Sequence, residues 1–131
     1  MRNRIKEFLL SPAFGVVGAS NNHQKYGNKV LRCYRQHNKK VYPINPIEET
    51  VEGLTCLHDV SELPNEVQSI SIITPPNITE KIIDQAIQKK IKNVWMQPGA
   101  ESELAIKKCK DNNINIIAEG PCLLVELGFI D

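Results

Sequence analysis

The sequence has little of what marks a membrane, secreted or metal-binding protein. No apolar run approaches the roughly 20 residues needed to cross a bilayer, and the short apolar group near the start is smaller than the core of a signal peptide, about 7–15 residues. No C-x-x-C pair or other metal-ligand spacing occurs among the four cysteines, Cys33, Cys56, Cys109 and Cys122. We therefore expect no metal, and reduced thiols in a cytoplasmic protein.

A strong charge of either sign is also missing. The chain carries 16 basic and 15 acidic residues and a net charge of +1, so no overall field draws it to nucleic acid or to a membrane. None of its three histidines is paired with a nucleophile in the sequence, and paired carboxylates are absent as well. We therefore expect neither a nucleic-acid nor a membrane partner, and the sequence shows no catalytic constellation.

What the sequence does contain is an alternation of strand-like apolar runs with helical patterns. The runs are Phe14–Val17, Val41–Asn45, Ser69–Thr74, Asn93–Gly99 including its turn, and residues 114–118. Strands separated by helices are typical of βαβ units. The expected fold is α/β, a doubly wound parallel sheet of five strands in three layers, α/β/α. Residues 1–131 form one domain, and residues 1–12 form an N-terminal helical extension that packs through Ile5, Phe8 and Leu9.

Local signals predict where other helices begin. Asn77 has Glu80 three residues later, which is the spacing of a capping box, and Ser102 is suited to cap the helix that follows it. Between Pro46 and Val67 the pattern is too irregular for a full helix. We expect this stretch to cross the surface and to include a short helix near Val60–Leu63.

The first strand ends in Gly18-Ala19-Ser20, a turn suited to an anionic ligand. Gly18 leaves room for a phosphate near exposed backbone amides, Ser20 offers a hydroxyl, and the next helix directs its positive dipole end to the same place. The stretch is not a G-x-G-x-x-G fingerprint, because Gly15 and Gly18 are three apart and the next glycine is Gly27. A structural turn that binds nothing is the alternative. If the turn binds phosphate, Gly18→Val should abolish binding and leave the protein folded.

The residues at the end of the second strand help to distinguish a site for a nicotinamide cofactor from a site for another nucleotide. A NAD site usually has Asp or Glu at this strand end, whereas this chain has Asn45-Pro46. An amide does not repel a phosphate near the ribose, so the pattern favours a ligand that carries one. Glu48 and Glu49 follow closely and leave NAD as an alternative.

Basic residues after the turn could supply charge to a phosphate. Lys25, beside Tyr26, is the best candidate because it lies in the loop. Lys29 and Arg32 are three apart on the helix and are interpreted as a solvated face. His23 also lies in the loop and is interpreted as solvated.

These motifs together resemble a known family. The stretches "VVGAS", "KYGNKVLRCYRQHNKKVYPINP", "EGLTCLHDVSELPNEVQSISIITPPN" and "VWMQPGAES" look like the small stand-alone CoA-binding proteins, which are similar in fold to the CoA-binding domain of the succinyl-CoA synthetase α subunit. The resemblance runs from about Phe14 to Cys122. It implies a Rossmann-like domain that binds coenzyme A along the carboxyl edge of its sheet.

Carried over by position, the resemblance assigns most of the site. The residues are Gly18, Ala19 and Ser20 at the phosphates, Asn45 and Pro46 at the adenosine, Thr74 and Pro75 along the middle, and Met96, Gln97, Pro98 and Gly99 near the pantetheine arm. Relatives often have a basic residue after Asn-Pro, where this chain has Ile47, so the partner of the 3′-phosphate is left open. The phosphorylated histidine of the synthetase lies in a separate domain that is not found in this sequence.

Cys122 matches a cysteine often seen near the end of the family pattern. It is interpreted either as a small buried apolar residue or as a thiol near the CoA thiol that forms a mixed disulfide under oxidising conditions.

Three classes of function follow from these observations. The first is non-catalytic binding of CoA or acyl-CoA. The second is a NAD(P)-binding regulatory domain or oxidoreductase fragment. The third is a non-catalytic subunit of an acyl-CoA ligase-type assembly, which requires a protein partner.

Overall fold

The computed structural model describes residues 2–131. Seven strands and five helices follow one another along the chain: α1 (Arg2–Leu9), β1 (Ala13–Val17), α2 (Tyr26–Gln36), β2 (Val41–Ile44), β3 (Thr50–Val51), β4 (Leu54–Thr55), β5 (Val67–Ile72), α3 (Pro76–Lys89), β6 (Asn93–Met96), α4 (Glu103–Asp111), β7 (Asn115–Ile117) and α5 (Leu123–Leu127). A short 3-10 helix, Val60–Glu62, precedes β5. Within the described residues, no helix has the length and apolar character needed to span a membrane.

Five strands form one sheet in the order β2-β1-β5-β6-β7. All four strand pairs are parallel, which confirms the predicted five-stranded Rossmann-like α/β fold. The chain moves from β1 to its neighbour β2 on one side and then crosses to β5 on the other. The order of strands therefore reverses between β1 and β5, and ligands of such sheets bind outside the carboxyl ends of the strands at this point.

Helices cover both faces of the sheet, as the three-layer prediction requires. On one face Phe8, Tyr34 and Leu123 bring α1, α2 and α5 into one apolar cluster with the sheet. On the other face the cluster includes Ile83 of α3 and Ala105 of α4. Both faces of the strands are therefore buried, which explains their nearly continuous apolar sequences.

The N-terminal helix packs as its spacing predicts. Phe8 is fully buried and lies edge-on against Trp95, with the ring centroids 5.3 Å apart. The Ser69 hydroxyl donates to the Phe8 carbonyl at 2.7 Å. Asn93 Nδ2 donates to Ser69 Oγ at 3.0 Å, and Asn115 Nδ2 donates to Asn93 Oδ1 at 3.1 Å. A polar row across three strands thus holds α1 over the amino end of the sheet.

One of the two predicted helix caps is wrong. α3 begins at Pro76, with Pro75 in the cap position, so Asn77 lies inside the first turn and does not cap it. Proline suits the first helical position because the N–H that it lacks would have no partner there. Ser102 does cap α4, and its Oγ accepts from the Ala105 amide at 3.1 Å.

The irregular crossover contains the predicted short helix and an additional hairpin. The 3-10 helix Val60–Glu62 agrees with the prediction. The strands β3 and β4 pair antiparallel around a two-residue turn, Glu52-Gly53, which the sequence interpretation missed. Both turn residues have positive φ, +50° and +78°, as the tight hairpin turns that match strand twist require.

Candidate functional site at the carboxyl end of the sheet

A cleft of about 460 Å³ opens where the strand order reverses. It is lined by Gly18, Ala19, Ser20, Lys25, Tyr26, Gly27, Asn45, Glu48 and Ile73. Six of these were predicted from the sequence: Gly18, Ala19, Ser20, Lys25, Tyr26 and Asn45. The loop after β1, the first turn of α2 and the end of β2 therefore meet at one place.

Two glycines allow this close packing. Gly18 has a φ of +94°, and a Cβ there would lie 2.2 Å from the Ile73 carbonyl oxygen. A Cβ on Gly27 would lie 1.9 Å from the Gly18 carbonyl oxygen. The expectation that Gly18→Val leaves the protein folded is therefore wrong. The new side chain would clash with the Ile73 backbone even when no ligand is bound.

The turn amides are used differently from the sequence prediction. The N–H groups of Gly18 and Ala19 both donate to the Ile44 carbonyl, at 3.1 and 3.2 Å. They tie the loop to β2 and are not exposed to a ligand. Among residues 2–131, the amides of Ser20, Tyr26 and Gly27 have no protein acceptor. These three groups, all in the cleft lining, are the backbone donors that an anion could use.

Lys25 is the basic residue of the cleft. It is exposed, precedes the first residue of α2, and makes no side-chain cap. It also forms no ion pair with any described residue. Lys29 lies over the Tyr26 ring at 5.5 Å, while Arg32 donates to Asn28 Oδ1 at 2.6 Å. The charge that faces the cleft on the α2 side is therefore that of Lys25.

The β3–β4 hairpin braces the loop after β1. Asn21 Nδ2 donates to the Thr50 carbonyl at 2.8 Å, and Asn21 Oδ1 accepts from the Glu52 amide at 3.0 Å. The Glu52 carboxylate accepts from Asn28 Nδ2 at 2.9 Å and lies 2.8 Å from His23 Nε2. The hydrogen bond from Asn28, more than the pairing with His23, holds the pKa of Glu52 below its ordinary value of 4.5. The exposed His23 is therefore part of this brace.

Asn45 is mainly a structural residue. Its Nδ2 donates to the Ala19 carbonyl at 2.9 Å, and its Oδ1 accepts from the amides of Ile47 and Glu48, at 2.8 and 3.1 Å. The side chain thus links the ends of β1 and β2 and leaves one amide hydrogen for a ligand. Pro46 follows it at the surface.

The residues predicted for the site after β5 and β6 lie outside the lining of this cleft. Thr74 is half-buried and shares a hydroxyl–hydroxyl hydrogen bond of 2.7 Å with Thr79, and Pro75 is exposed. Met96 is fully buried in the core, whereas the turn residues Pro98 and Gly99 are exposed. A side-chain role for Met96 toward a ligand would need the core to open.

The last predicted residue, Cys122, lies at the N-cap position directly before α5. Gln97 holds it there, because Gln97 Nε2 lies 3.4 Å from Cys122 Sγ and Gln97 Oε1 accepts from the Leu123 amide at 2.8 Å. Cys122 is half-buried, whereas the other three cysteines are buried. Burial raises the pKa of Cys33 to about 11 and that of Cys109 to about 12. The mixed-disulfide hypothesis for Cys122 stays a prediction.

A proline occurs shortly after each of β2, β5, β6 and β7, namely Pro46, Pro75, Pro98 and Pro121. The loop between β1 and α2 has none.

Three lining residues were not assigned to the site from the sequence. Gly27 was noted only as a spacing that breaks the dinucleotide fingerprint, although a glycine in the first turn of a helix is a signal of close packing. Glu48 enters the cleft because Asn45 turns the chain there. Ile73 follows β5 directly, and its place beside β1 depends on the strand order.

Comparisons with known proteins identify the family of this chain. A family model described as CoA binding domain matches residues 13–128. The α subunit of an ADP-forming acetate–CoA ligase from Pyrococcus furiosus is 31% identical over 90 residues, which cover 67% of this chain and 20% of that protein. An ADP-forming acetate–CoA ligase from Methanocaldococcus jannaschii is 25% identical over 115 residues, 88% of this chain and 16% of that protein. This chain thus spans a fifth or less of these relatives.

Two solved structures match this chain over most of their length. A conserved hypothetical protein from Pyrococcus furiosus has a TM-score of 0.83 and 35% identity, covering 87% of this chain and 97% of that one. A hypothetical protein from Pyrococcus horikoshii has a TM-score of 0.89 and 28% identity, covering 95% and 87%. With the family model matched from β1 to the end of α5, the chain belongs to the CoA-binding domain family.

Proposed function

We propose that this protein binds coenzyme A, free or acylated, at the cleft between β1, β2 and α2, without catalysing a reaction of its own. The observation that carries the proposal is the set of free donors at the strand reversal. The amides of Ser20, Tyr26 and Gly27, which have no acceptor among the described residues, lie in one lining with the unpaired Lys25. Amides at a helix N-terminus together with a lysine are typical ligands of a diphosphate.

The family supports the choice of ligand. The two relatives described above are named as acetate–CoA ligases, and the matched family is described as a CoA binding domain. The expected role of the protein is therefore to hold the nucleotide end of CoA.

The name of one relative favours a second candidate function. The Pyrococcus furiosus relative is a subunit of a ligase, so this chain is also a candidate non-catalytic subunit whose partner performs the chemistry. Co-purification of the tagged protein with a ligase-type subunit, increased by added CoA, would support this alternative.

Calorimetric titration with CoA, acetyl-CoA and NAD tests the proposed ligand. We expect CoA to bind more tightly than NAD. Lys25→Ala should weaken CoA binding about tenfold, because a charge-assisted hydrogen bond contributes about 1.4 kcal/mol or more.

The matched control is Lys29→Ala, which removes the same charge four residues later, outside the cleft lining. The affinity of this variant for CoA should stay within about twofold of the wild type, since the Lys29 ammonium lies against the Tyr26 ring and is not part of the cleft lining. Tighter binding of NAD than of CoA, or equal losses in the two lysine variants, would contradict the proposal.

A further inference from the structure

Glu48 brings a carboxylate into the cleft on the side of β2. Its backbone N–H donates to Asn45 Oδ1 at 3.1 Å, which fixes the turn that carries it. Its Oε2 lies 3.4 Å from Asn21 Nδ2, on the loop after β1. The residue is half-buried and belongs to the cleft lining. Its position is therefore defined from both neighbouring strand ends.

This side of the cleft is where a ribose would lie. When a diphosphate binds at the helix N-terminus after the first strand of such a sheet, the attached ribose reaches the end of the neighbouring strand. A carboxylate there accepts hydrogen bonds from the ribose hydroxyls. Asn45 occupies the position directly after β2, but its side chain is engaged with Ala19 and the turn, so Glu48 is the acceptor that remains.

The charges around the cleft do not suit another phosphate on that ribose. Lys25 and Glu48 are the charged residues in the lining, and they cancel. A diphosphate already places negative charge beside Lys25, and a phosphate monoester would add about 1.5 to 2 further charges. The sequence neighbours of Glu48 supply no positive charge to such a phosphate, because Ile47 is apolar and 83% exposed and Glu49 is acidic.

Two further cations of α2 already have partners. Lys29 lies against Tyr26, and Arg32 binds Asn28 and lies 3.5 Å from Asp131. A phosphate next to Glu48 would therefore meet a carboxylate of like charge, while the one lysine of the lining, Lys25, faces the diphosphate.

From this arrangement we infer that, among ligands that carry the pantetheine arm, the cleft prefers CoA lacking the 3′-phosphate, with both ribose hydroxyls free, over CoA itself. The inference rests on the proposed function and refines its ligand. Glu48 receives the 2′- and 3′-hydroxyls, and the same carboxylate repels a phosphate at that position.

The test compares the affinities of CoA and 3′-dephospho-CoA by calorimetry at low ionic strength, where surface charges act most strongly. Wild-type protein should bind dephospho-CoA about fivefold more tightly than CoA. In Glu48→Gln this preference should fall to about twofold or less, because the amide does not repel phosphate. The matched control Glu49→Gln removes the same charge from an exposed residue outside the lining and should keep the wild-type preference.

Ile47→Lys gives a second, independent readout at an exposed position that is not expected to disturb folding. The added cation should reverse the preference in favour of CoA. Equal or tighter binding of CoA by the wild type would overturn the inference while leaving the proposed function intact. An unchanged preference in both Glu48→Gln and Ile47→Lys would also overturn it. If neither nucleotide binds, the proposed function fails, and the inference fails with it.

Discussion

The two ends of the parallel sheet differ in how the hydrogen bonds of their polar groups are satisfied. They lie about 20 Å apart along the six residues of β5. At the amino end, Ser69, Asn93 and Asn115 pair with one another and with the backbone of α1. At the carboxyl end, the amides of Ser20 and Tyr26 find no acceptor among the described residues. Both ends are rich in polar side chains, so composition alone does not distinguish them.

The difference lies in what satisfies the hydrogen bonds. A buried polar group that lacks a partner destabilises the fold, so a polar row inside the protein is completed internally. A donor that faces a cleft can use water or a ligand instead. The completed row at the amino end indicates a structural role, whereas the incomplete set at the carboxyl end is the one that we propose to bind the ligand.

The largest effect is expected where the carboxyl end is packed most tightly. Gly27→Ala should destabilise the protein by about 3 kcal/mol, because the new Cβ would lie 1.9 Å from the Gly18 carbonyl oxygen. An ordinary Gly→Ala change within a helix instead stabilises by about 1 kcal/mol. Urea unfolding measures the difference.

Gly99→Ala is the control for a glycine on the same edge. It has a φ of +95° but open space around its Cβ position, so the expected cost is only the conformational one, about 1–2 kcal/mol. A Gly27→Ala protein that is as stable as the wild type would show that α2 does not press on the turn.

Removing hydrogen bonds at the amino end of the sheet should lower the stability of the protein without changing its affinity for CoA. Asn93→Val removes the three hydrogen bonds of the buried amide, to the Gln68 carbonyl, Ser69 and Asn115, at a cost of about 1–3 kcal/mol. The affinity for CoA, measured on the folded protein, should equal that of the wild type. The exposed Asn77→Ala, at a side chain without a hydrogen bond among the described residues, should change the stability by less than about 0.5 kcal/mol. A loss of CoA affinity in Asn93→Val would contradict the separation of the two ends.

The smallest effect concerns the hairpin brace. Because the pKa of Glu52 is lowered in the folded protein, its ionised form stabilises the fold above the ordinary value of 4.5, and this contribution is lost as the pH falls through the lowered pKa. Glu52→Gln should be less stable than the wild type near pH 7, by less than about 1 kcal/mol given its partial exposure. The two proteins should converge near pH 3.

Free energies of unfolding from pH 3 to 7 measure this effect. Glu49→Gln, on the same crossover, controls for the loss of charge. Curves for wild type and Glu52→Gln that stay parallel over the whole range would contradict the role of the carboxylate in holding the loop.

Most of the fold could be predicted because strands and helices of this sheet carry strong local patterns. Ser69–Thr74 is β-branched and apolar, and the observed β5 covers most of it. The β3–β4 hairpin escaped detection because each of its strands has only two residues, although Glu52-Gly53 is a short turn signal. The prediction that Asn77 caps a helix is wrong because it rests on the capping-box spacing alone and takes no account of the two prolines directly before Asn77.

The site was predictable in position but not in detail. The Gly18 turn and Lys25 were found because strand ends and loop residues can be read locally. The Gly18 and Ala19 amides are unavailable to a ligand because both donate to the Ile44 carbonyl. This carbonyl belongs to another strand, and residue spacing alone cannot locate it. The place of Glu48 in the cleft likewise depends on how Asn45 turns the chain.

The prolines after β2, β5, β6 and β7 have a consequence for the orientation of a ligand. Proline supplies no N–H, so the backbone at each of these positions offers carbonyl oxygens but not the corresponding donor. The proline-free loop after β1 is thus the segment of this edge best supplied with amide hydrogens. A molecule with one anionic end and one neutral end would accordingly bind in a single direction, with its anion at the loop after β1 and its neutral arm along turns that contain a proline.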